Sequence, residues 1–337
     1  MEQGLVACIP NFSEGRDRKV IQAIVQAIHS VPEVKVLHTD MGNSVNRTVL
    51  TFVGPPTQIG IAAFQGISKA LDLIDMRKHK GTHPRMGAVD VCPLVPLSGV
   101  SMQEVVALAE KLAEKVGLQC RIPVFKYELN ASLDYRKKLS QIRSGEYEGW
   151  FQKIKNPAWK PDFGPDIMSE NSGVLAIGAR EMMIAYNVNL VSTDVALANL
   201  IARQIRESGF SYRNSAGEKI AQPGLCKGVR AIGWLIPEFK GTQISMNLMD
   251  LKETPLWKAF ITCRQLAQHY GLSVSGSEIV GMVPEAELWN AGSYFLGNAL
   301  PKYQKREVIA TAIDRLGLSD KMPFIPEEKI IEWRYNA

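Results

Sequence analysis

Two stretches of this chain carry the same ordered series of hydrophobic patterns, which restricts the fold more than any single motif. The first begins with the apolar run Leu5 to Pro10, short enough for a strand. Val20, Ile21, Ile24, Val25 and Ile28 then fall at three-to-four spacing, the signature of a helix with one buried face. Val34–Leu37 and Thr48–Val53 follow as β-rich runs on either side of the turn-like stretch Asp40–Ser44. A second helical face (Ile59, Ala63, Ile67, Ala70, Ile74) starts after Gly54-Pro55-Pro56, and Val89–Pro96 closes the series. The second stretch repeats it. Met183–Val191 is strand-like, Ser192-Thr193-Asp194 offers helix caps, and Val195, Ala198, Ala202 and Ile205 share a face. Val229–Ile236 and Gln243–Met249 are the middle strands. Thr254-Pro255 opens a helix with Leu256, Phe260, Cys263, Ala267 and Tyr270, and Val274–Val283 ends the unit.

The matched order predicts an α/β (α+β) fold made of duplicated ferredoxin-like β-α-β-β-α-β subdomains, residues 1–181 and 182–337. Their mostly antiparallel sheets are expected to pack face to face with helices outside, leaving a groove as the default site. Each half carries an extension. Met102–Leu118 reads as a helix and Ile122–Tyr127 as an added strand; helices near Glu285–Leu296 and Glu307–Leu316 finish the second half. Ser144–Arg180, rich in Gly, Pro, Trp and polar residues, reads as a linker or a ligand-covering segment too irregular for core. Gly209–Gly224 reads as a projecting polar loop.

Composition narrows the setting. At 337 residues, 46% hydrophobic and 22% charged, the chain has the make-up of a soluble two-domain enzyme. No apolar run approaches a membrane span, and the start lacks a secretory pattern. Five scattered cysteines, odd in number and without C-x-x-C, imply reduced thiols and a cytoplasmic location. A net charge of +5 suits anionic small molecules as readily as nucleic acid.

The chemistry-bearing residues cluster at predicted strand ends and turns. In Gly81-Thr82-His83-Pro84-Arg85-Met86-Gly87-Ala88, Pro84 disfavours helix at His83, and the flanking glycines permit tight bends. A histidine fixed at such a corner can exchange a proton near neutral pH, or can be an ordinary loop residue. Asn11 and Ser13 leave strand one and suit either a ligand or, for Ser13 with Glu14, a helix cap. Asp40, with Asn46 and Arg47, flanks the predicted hairpin and suits either a turn or a site. The fourth cluster runs from Asp162-Phe163-Gly164-Pro165-Asp166 to Gly173. His79 and His83 are four apart, but Gly81 and Pro84 spoil the helix a zinc pair would need, so no metal is expected. No phosphate-binding glycine motif occurs in strand-to-helix context. The lone Phe52 on strand three falls short of the aromatic platform an RNA-binding sheet uses.

These residues carry a resemblance. Cys8-Ile9-Pro10-Asn11-Phe12-Ser13-Glu14-Gly15, Asn46-Arg47-Thr48-Val49, Phe52-Val53-Gly54-Pro55-Pro56 and the His83 loop resemble the glutamate formimidoyltransferase family. So do Asp90-Val91-Cys92-Pro93, Gly145-Glu146-Tyr147-Glu148, Pro161-Asp162-Phe163-Gly164-Pro165, Gly178-Ala179-Arg180 and Ile330-Ile331-Glu332. The resemblance runs in order from about residue 5 to 334. It implies transfer of a formimidoyl group from N-formimidoyl-L-glutamate to N5 of tetrahydrofolate, giving 5-formimidoyltetrahydrofolate and glutamate in histidine degradation. It implies tetrahydrofolate as cosubstrate, no metal, no nucleic-acid or membrane partner, and a homodimer. The family's cyclodeaminase domain has no counterpart in this sequence, so a separate cyclodeaminase is a possible partner. His83 falls on the family's catalytic histidine, and Gly164, Pro165, Asp166, Ile167, Met168, Ser169, Glu170, Asn171, Ser172 and Gly173 fall on its folate-contacting segment. The segment's side chains differ from the animal version. Members also often carry Glu where Thr82 stands, and Asp where His38 precedes Asp40.

The implied reaction moves an amidine carbon between two amines. His83 is the candidate proton shuttle, and Asp40 the carboxylate that faces the cationic amidinium and orients the imidazole. Arg47 and Arg85 are candidates for substrate carboxylates, with Asn11 and Asn46 beside them. The alternatives are a formyl donor on the same folate site, or a folate- or RNA-binding module without catalysis.

Overall fold

A computed structural model describes residues 4–336 and shows an α+β protein. The chain divides into two compact units, Met1–Glu181 and Met182–Ala337. Unit one contains β1 (Leu5–Cys8), β2 (Asn11–Phe12), α1 (Arg18–His29), β3 (Lys35–Gly42), β4 (Arg47–Gly54), α2 (Pro56–Leu73) and β5 (Val89–Ser98). It continues with α3 (Met102–Gln119), β6 (Val124–Glu128), α4 (Leu139–Arg143), α5 (Glu146–Lys153) and β7 (Leu175–Ala179).

The predicted first strand is one line broken at Ile9-Pro10. Both pieces pair antiparallel with β4 on one side and β5 on the other, while β3 pairs with β4. Pro10 lacks an N–H, and its carbonyl accepts from Leu50 N at 3.1 Å, so the break keeps its place in the sheet. Asp17 caps α1 by accepting from Lys19 N and Val20 N, and Ile21, Ile24 and Ile28 are buried beneath it. On α2, Ile59, Ala63, Ile67 and Ala70 are buried, and Leu50 and Phe52 of β4 join the same core. Burying each of the isoleucine, leucine and phenylalanine side chains among these stabilises by roughly 1.5–3 kcal/mol. The opposite face of β4 begins at Arg47.

The extension of unit one departs from expectation. Of the two expectations for residues 144–180, a plain linker does not describe the ends: Trp150 and strand β7 are fully buried, while residues 155–158, Asp166, Ile167, Glu170 and Asn171 stay exposed. Phe125, Trp150 and Trp159 form an aromatic cluster, with Phe125 and Trp150 centroids 4.6 Å apart. β7 inserts between β5 and β6, parallel to both. The turn predicted at Asp40–Ser44 starts later, because Asp40, Met41 and Gly42 belong to β3.

Unit two contains β8 (Ile184–Leu190), α6 (Val195–Ile205), β9 (Phe210–Arg213), β10 (Lys219–Gln222), β11 (Val229–Ile236), β12 (Gly241–Leu248), α7 (Leu256–His269) and β13 (Val274–Val280). Helices α8 (Glu285–Leu296), α9 (Lys305–Leu316), α10 (Pro326–Lys329) and α11 (Ile331–Asn336) follow. Its sheet runs β11-β12-β8-β13, all antiparallel. In order of appearance that is second, third, first, fourth, as in β3-β4-β1/β2-β5 of unit one, so the duplicated topology is present. Asp194 caps α6 through Leu197 N at 3.0 Å. Pro255 sits at the N-cap of α7 rather than inside its first turn. The loop predicted at Gly209–Gly224 is built around the exposed hairpin β9–β10.

Candidate active site at the His83 loop

The loop between α2 and β5 is stitched to three other segments of unit one. Ser13 Oγ donates to Gly87 O at 2.7 Å, and Ser13 N to Ala88 O at 2.9 Å. Ser13 therefore holds this loop, and the helix-cap role expected of it belongs to Asp17. Asn46, in the left-handed region at φ 48°, accepts from Gly15 N at 2.9 Å and donates to Lys80 O at 3.0 Å. Ala88 N donates to Ser172 O, and Val174 N to Met86 O, so Gly87 and Gly173 cross backbone to backbone. A Cβ on Gly173 would lie 2.3 Å from Met86 O, and one on Gly87 2.3 Å from Val174 O. Only glycine fits such a crossing.

His83 projects from this loop, partly buried, with Nδ1 2.7 Å from the carbonyl of Pro84. A carbonyl can only accept, so Nδ1 carries the proton and Nε2 keeps its lone pair. The ring is thus oriented by its own loop, not by Asp40 as expected. Burial, then the charges of Arg47 and Arg143, push the imidazole's pKa down to about 3, against an upward pull from Asp90. The neutral form dominates at any physiological pH.

Asp90 is the charge centre beside it. Phe12 pairs with Val89 and Asn11 with Val91, leaving Asp90 as the extra residue of a bulge in β5. Bulges re-aim side chains. The fully buried carboxylate accepts from Arg47 Nη2 at 2.7 Å, Arg143 Nη2 at 2.6 Å, Arg143 Nε at 3.3 Å and Met86 N at 3.0 Å. Burial alone would raise its pKa; Arg143 and Arg47 outweigh that and hold it well below the ordinary carboxylate range. Lys153 Nζ donates to the carbonyls of Gln141, Ile142 and Ser144, which secures the end of α4 that carries Arg143. Sequence reasoning missed Arg143. Its only signal was a basic residue closing a short helix before Gly145-Glu146-Tyr147-Glu148.

Other predicted residues fall on the same sheet face. Asp40 pairs with Val49, and Val49 with Asn11, so Asp40 and Asn11 stand in one cross-strand row with Arg47 two residues along β4. Asn11 Oδ1 accepts from Arg47 Nε at 3.1 Å. His38 Nε2 lies 3.8 Å from Asp40 Oδ2. Arg85 is engaged elsewhere: its guanidinium meets Glu148 at 2.6 and 2.8 Å and Glu146 at 3.2 Å, and Nε donates to His79 Nδ1. Its fork is taken by the protein's own carboxylates, which removes the geometric basis for a substrate contact. An open pocket of about 580 Å³ beside it is lined by His79, Lys80, Gly81, Arg85, Tyr147 and Glu148, and excludes His83.

The segment Gly164 to Gly173 runs between two positive-φ glycines. Met168 is buried, Asp166, Ile167, Glu170 and Asn171 are exposed, and Pro165, Ser169 and Ser172 lie between these extremes. Asn171 O accepts from Met76 N, and Gly173 N donates to Ser169 O at 2.7 Å. Among the described residues no group of three or more His, Cys, Asp or Glu could hold a metal ion, and no helix is long and apolar enough to cross a membrane. Unit two adds a polar network that the sequence did not reveal. Trp234 Nε1 donates to Gln243 Oε1, Gln243 Nε2 to Asn189 Oδ1, and Asn189 Nδ2 to Asp320 Oδ2.

A neutral imidazole of fixed tautomer beside a cationic cluster suits proton transfer next to an anion, and comparison with known proteins shows the family to which such a site belongs. The Formiminotransferase domain, N-terminal subdomain, matches residues 5–180, and the Formiminotransferase domain matches residues 185–336. The chain belongs to the formiminotransferase family. It is 38% identical over 292 residues to glutamate formimidoyltransferase of Streptococcus pyogenes serotype M1, covering 87% of this chain and 93% of that protein. It is 40% identical over 294 residues to glutamate formimidoyltransferase of Thermoplasma acidophilum, covering 87% and 92%. It is 43% identical over 330 residues to formimidoyltransferase-cyclodeaminase of Dictyostelium discoideum, where 98% of this chain matches 60% of the longer protein.

Proposed function

We propose that the protein transfers the formimidoyl group of N-formimidoyl-L-glutamate to N5 of tetrahydrofolate, releasing L-glutamate and 5-formimidoyltetrahydrofolate in histidine degradation. The observation that carries this reading is similarity over more than nine tenths of two proteins named for that activity alone. In the reaction N5 bonds to the amidine carbon, giving a tetrahedral intermediate, and the bond from that carbon to the glutamate nitrogen then breaks. N5 loses a proton and the departing nitrogen gains one. His83 Nε2, the lone-pair nitrogen, takes the first and returns it as the second, assistance typically worth 100- to 10,000-fold. Because the electrophile is cationic, Asp40 serves as the facing carboxylate from the sheet face it shares with Asn11 and Arg47. Gly164 to Gly173 contacts the folate, and its backbone crossing at Gly87 ties that contact to the His83 loop. Asn46 holds the loop rather than the ligand, and Arg85 positions Glu146 and Glu148. The working form is a soluble cytoplasmic homodimer that uses tetrahydrofolate without a metal.

The test is an absorbance assay of purified protein with tetrahydrofolate, comparing N-formimidoyl-L-glutamate with N-formyl-L-glutamate. Product from the first at a kcat/KM at least tenfold higher supports the reading. A preference for the formyl donor replaces the substrate, and no turnover with either leaves a binding role.

A further inference from the structure

We propose that Arg143 and Arg47 form a carboxylate-binding site beside His83, with Asp90 as the positioning residue that aims both guanidiniums. The inference rests on the transferase reading and specifies how its group donor is held.

Charge and geometry carry it. Asp90 contributes one negative charge to a buried cluster with two guanidiniums, so the cluster keeps one surplus positive charge. Buried surplus charge is costly unless a counter-charge arrives. Arg47 is only 8% exposed, and its Nη1 has no hydrogen-bond partner among the described residues. Orphaned buried donors are rare in folded proteins and point to an absent acceptor. Arg143 spends Nε and Nη2 on Asp90, no hydrogen bond among the described residues engages its Nη1, and its side chain retains 18% exposure. The same carboxylate accepts the backbone N–H of Met86, three residues from His83, which ties the cluster to the loop that carries the imidazole. A carboxylate is the anion that a guanidinium edge matches best among amino-acid substrates.

The site also links binding to chemistry. The charged groups acting on the ring are Arg47 from β4, Arg143 from α4 and Asp90 from β5, with the Pro84 carbonyl on Nδ1. The two arginines disfavour an imidazolium. A donor carboxylate docked between them offsets their charge and makes Nε2 a stronger base when the amine must be deprotonated. The free enzyme therefore holds a weak base, and the bound donor strengthens it.

L-glutamate serves as the probe, without folate and without turnover. Calorimetry measures its affinity, and NMR of ring-labelled histidine follows His83, assigned through His83→Gln. Wild-type protein should bind L-glutamate, and saturation should raise the His83 titration midpoint by about one pH unit or more. Arg143→Gln should weaken binding at least tenfold, and Arg143→Lys by less, since it keeps the charge without the fork. Circular dichroism checks that both variants fold; should Arg143→Gln not fold, the decision passes to Arg143→Lys, whose affinity must fall measurably. Unchanged affinity in the folded variants, or a His83 midpoint indifferent to L-glutamate, overturns the proposal. The assay arms separate it from the transferase reading. Glutamate binding without formimidoyl transfer would sink that reading alone; turnover with an unchanged donor KM in Arg143→Gln would sink this one alone.

Discussion

Asp90→Asn tests the electrostatic arrangement most severely, because it removes one charge and almost no volume. In the native protein this carboxylate accepts four hydrogen bonds, three of them from guanidinium nitrogens. At an effective dielectric of about 20, unit charges about 4 Å apart attract by roughly 4 kcal/mol, and Asp90 makes two such attractions. Asparagine keeps one carbonyl that can still take Met86 N, but its NH₂ points donors at donors. The repulsion between Arg47 and Arg143 is then uncompensated in a buried site. Breaking a buried ion pair typically costs about 3–5 kcal/mol, and two stranded cations place this case near the top of that range. A domain's whole stability is about 5–15 kcal/mol. Urea unfolding should show a transition for unit one at much lower denaturant, and hydrogen exchange should show lost protection in peptides spanning 85–95. Adding Arg143→Gln should recover part of the loss, since it removes one stranded cation; the double-mutant cycle measures the coupling. An Asp90→Asn protein within about 1 kcal/mol of wild type would refute the view that Asp90 balances two buried guanidiniums.

Other substitutions probe separate links. His83→Gln should lower kcat by at least about 100-fold with folate affinity retained, and a change within a few-fold would remove His83 from the chemistry. It should also flatten the acid limb of stability. The unfolded imidazole titrates near 6.5 and the folded one near 3, so wild type loses stability as pH falls through that window, by up to about 1.4 kcal/mol per pH unit. Denaturation midpoints between pH 6 and 4 that fall equally in both proteins would refute this. Gly173→Ala sets a Cβ 2.3 Å from Met86 O at φ 72° and should unseat the His83 loop, read as reduced kcat and faster exchange at Gly87–Ala88. In unit two, Gly233→Ala would press its Cβ to 2.4 Å from the backbone of Ala198 and Asn199 in α6, costing about 1–3 kcal/mol in urea unfolding. Arg85→Lys should lower stability while leaving both KM values unchanged, and a selective rise in one KM would return Arg85 to substrate binding.

What the sequence made legible was periodic. The three-to-four spacing of Ile21, Ile24 and Ile28, and its counterpart in Ala198, Ala202 and Ile205, exposed the duplicated topology because each helix buries one stripe. β7 escaped because Val174–Ala179 is buried on both faces between parallel neighbours and shows no alternation. Trp150 escaped because glycines and charges around it look like a loop, although its ring is enclosed by Phe125 and Trp159. Within the site, His83 stood out through Pro84. Asp90 did not, since it sits in an apolar run and is turned toward Arg47 by a bulge that no local pattern encodes. Asp40 and Arg85 were plausible by residue type alone, and the contacts of Arg85 were settled by Glu146 and Glu148, more than 60 positions away.

The late arrival of β7 bears on how the protein leaves the ribosome. β6 is complete at Glu128, yet β7, its one strand neighbour among the described residues, is not made until Leu175–Ala179. During that interval the outer border of β5 and the border of β6 that β7 will cover are bare, and translation at about 5–20 residues per second keeps them so for several seconds. Chaperone capture should peak on nascent chains whose emerged part ends shortly before Leu175.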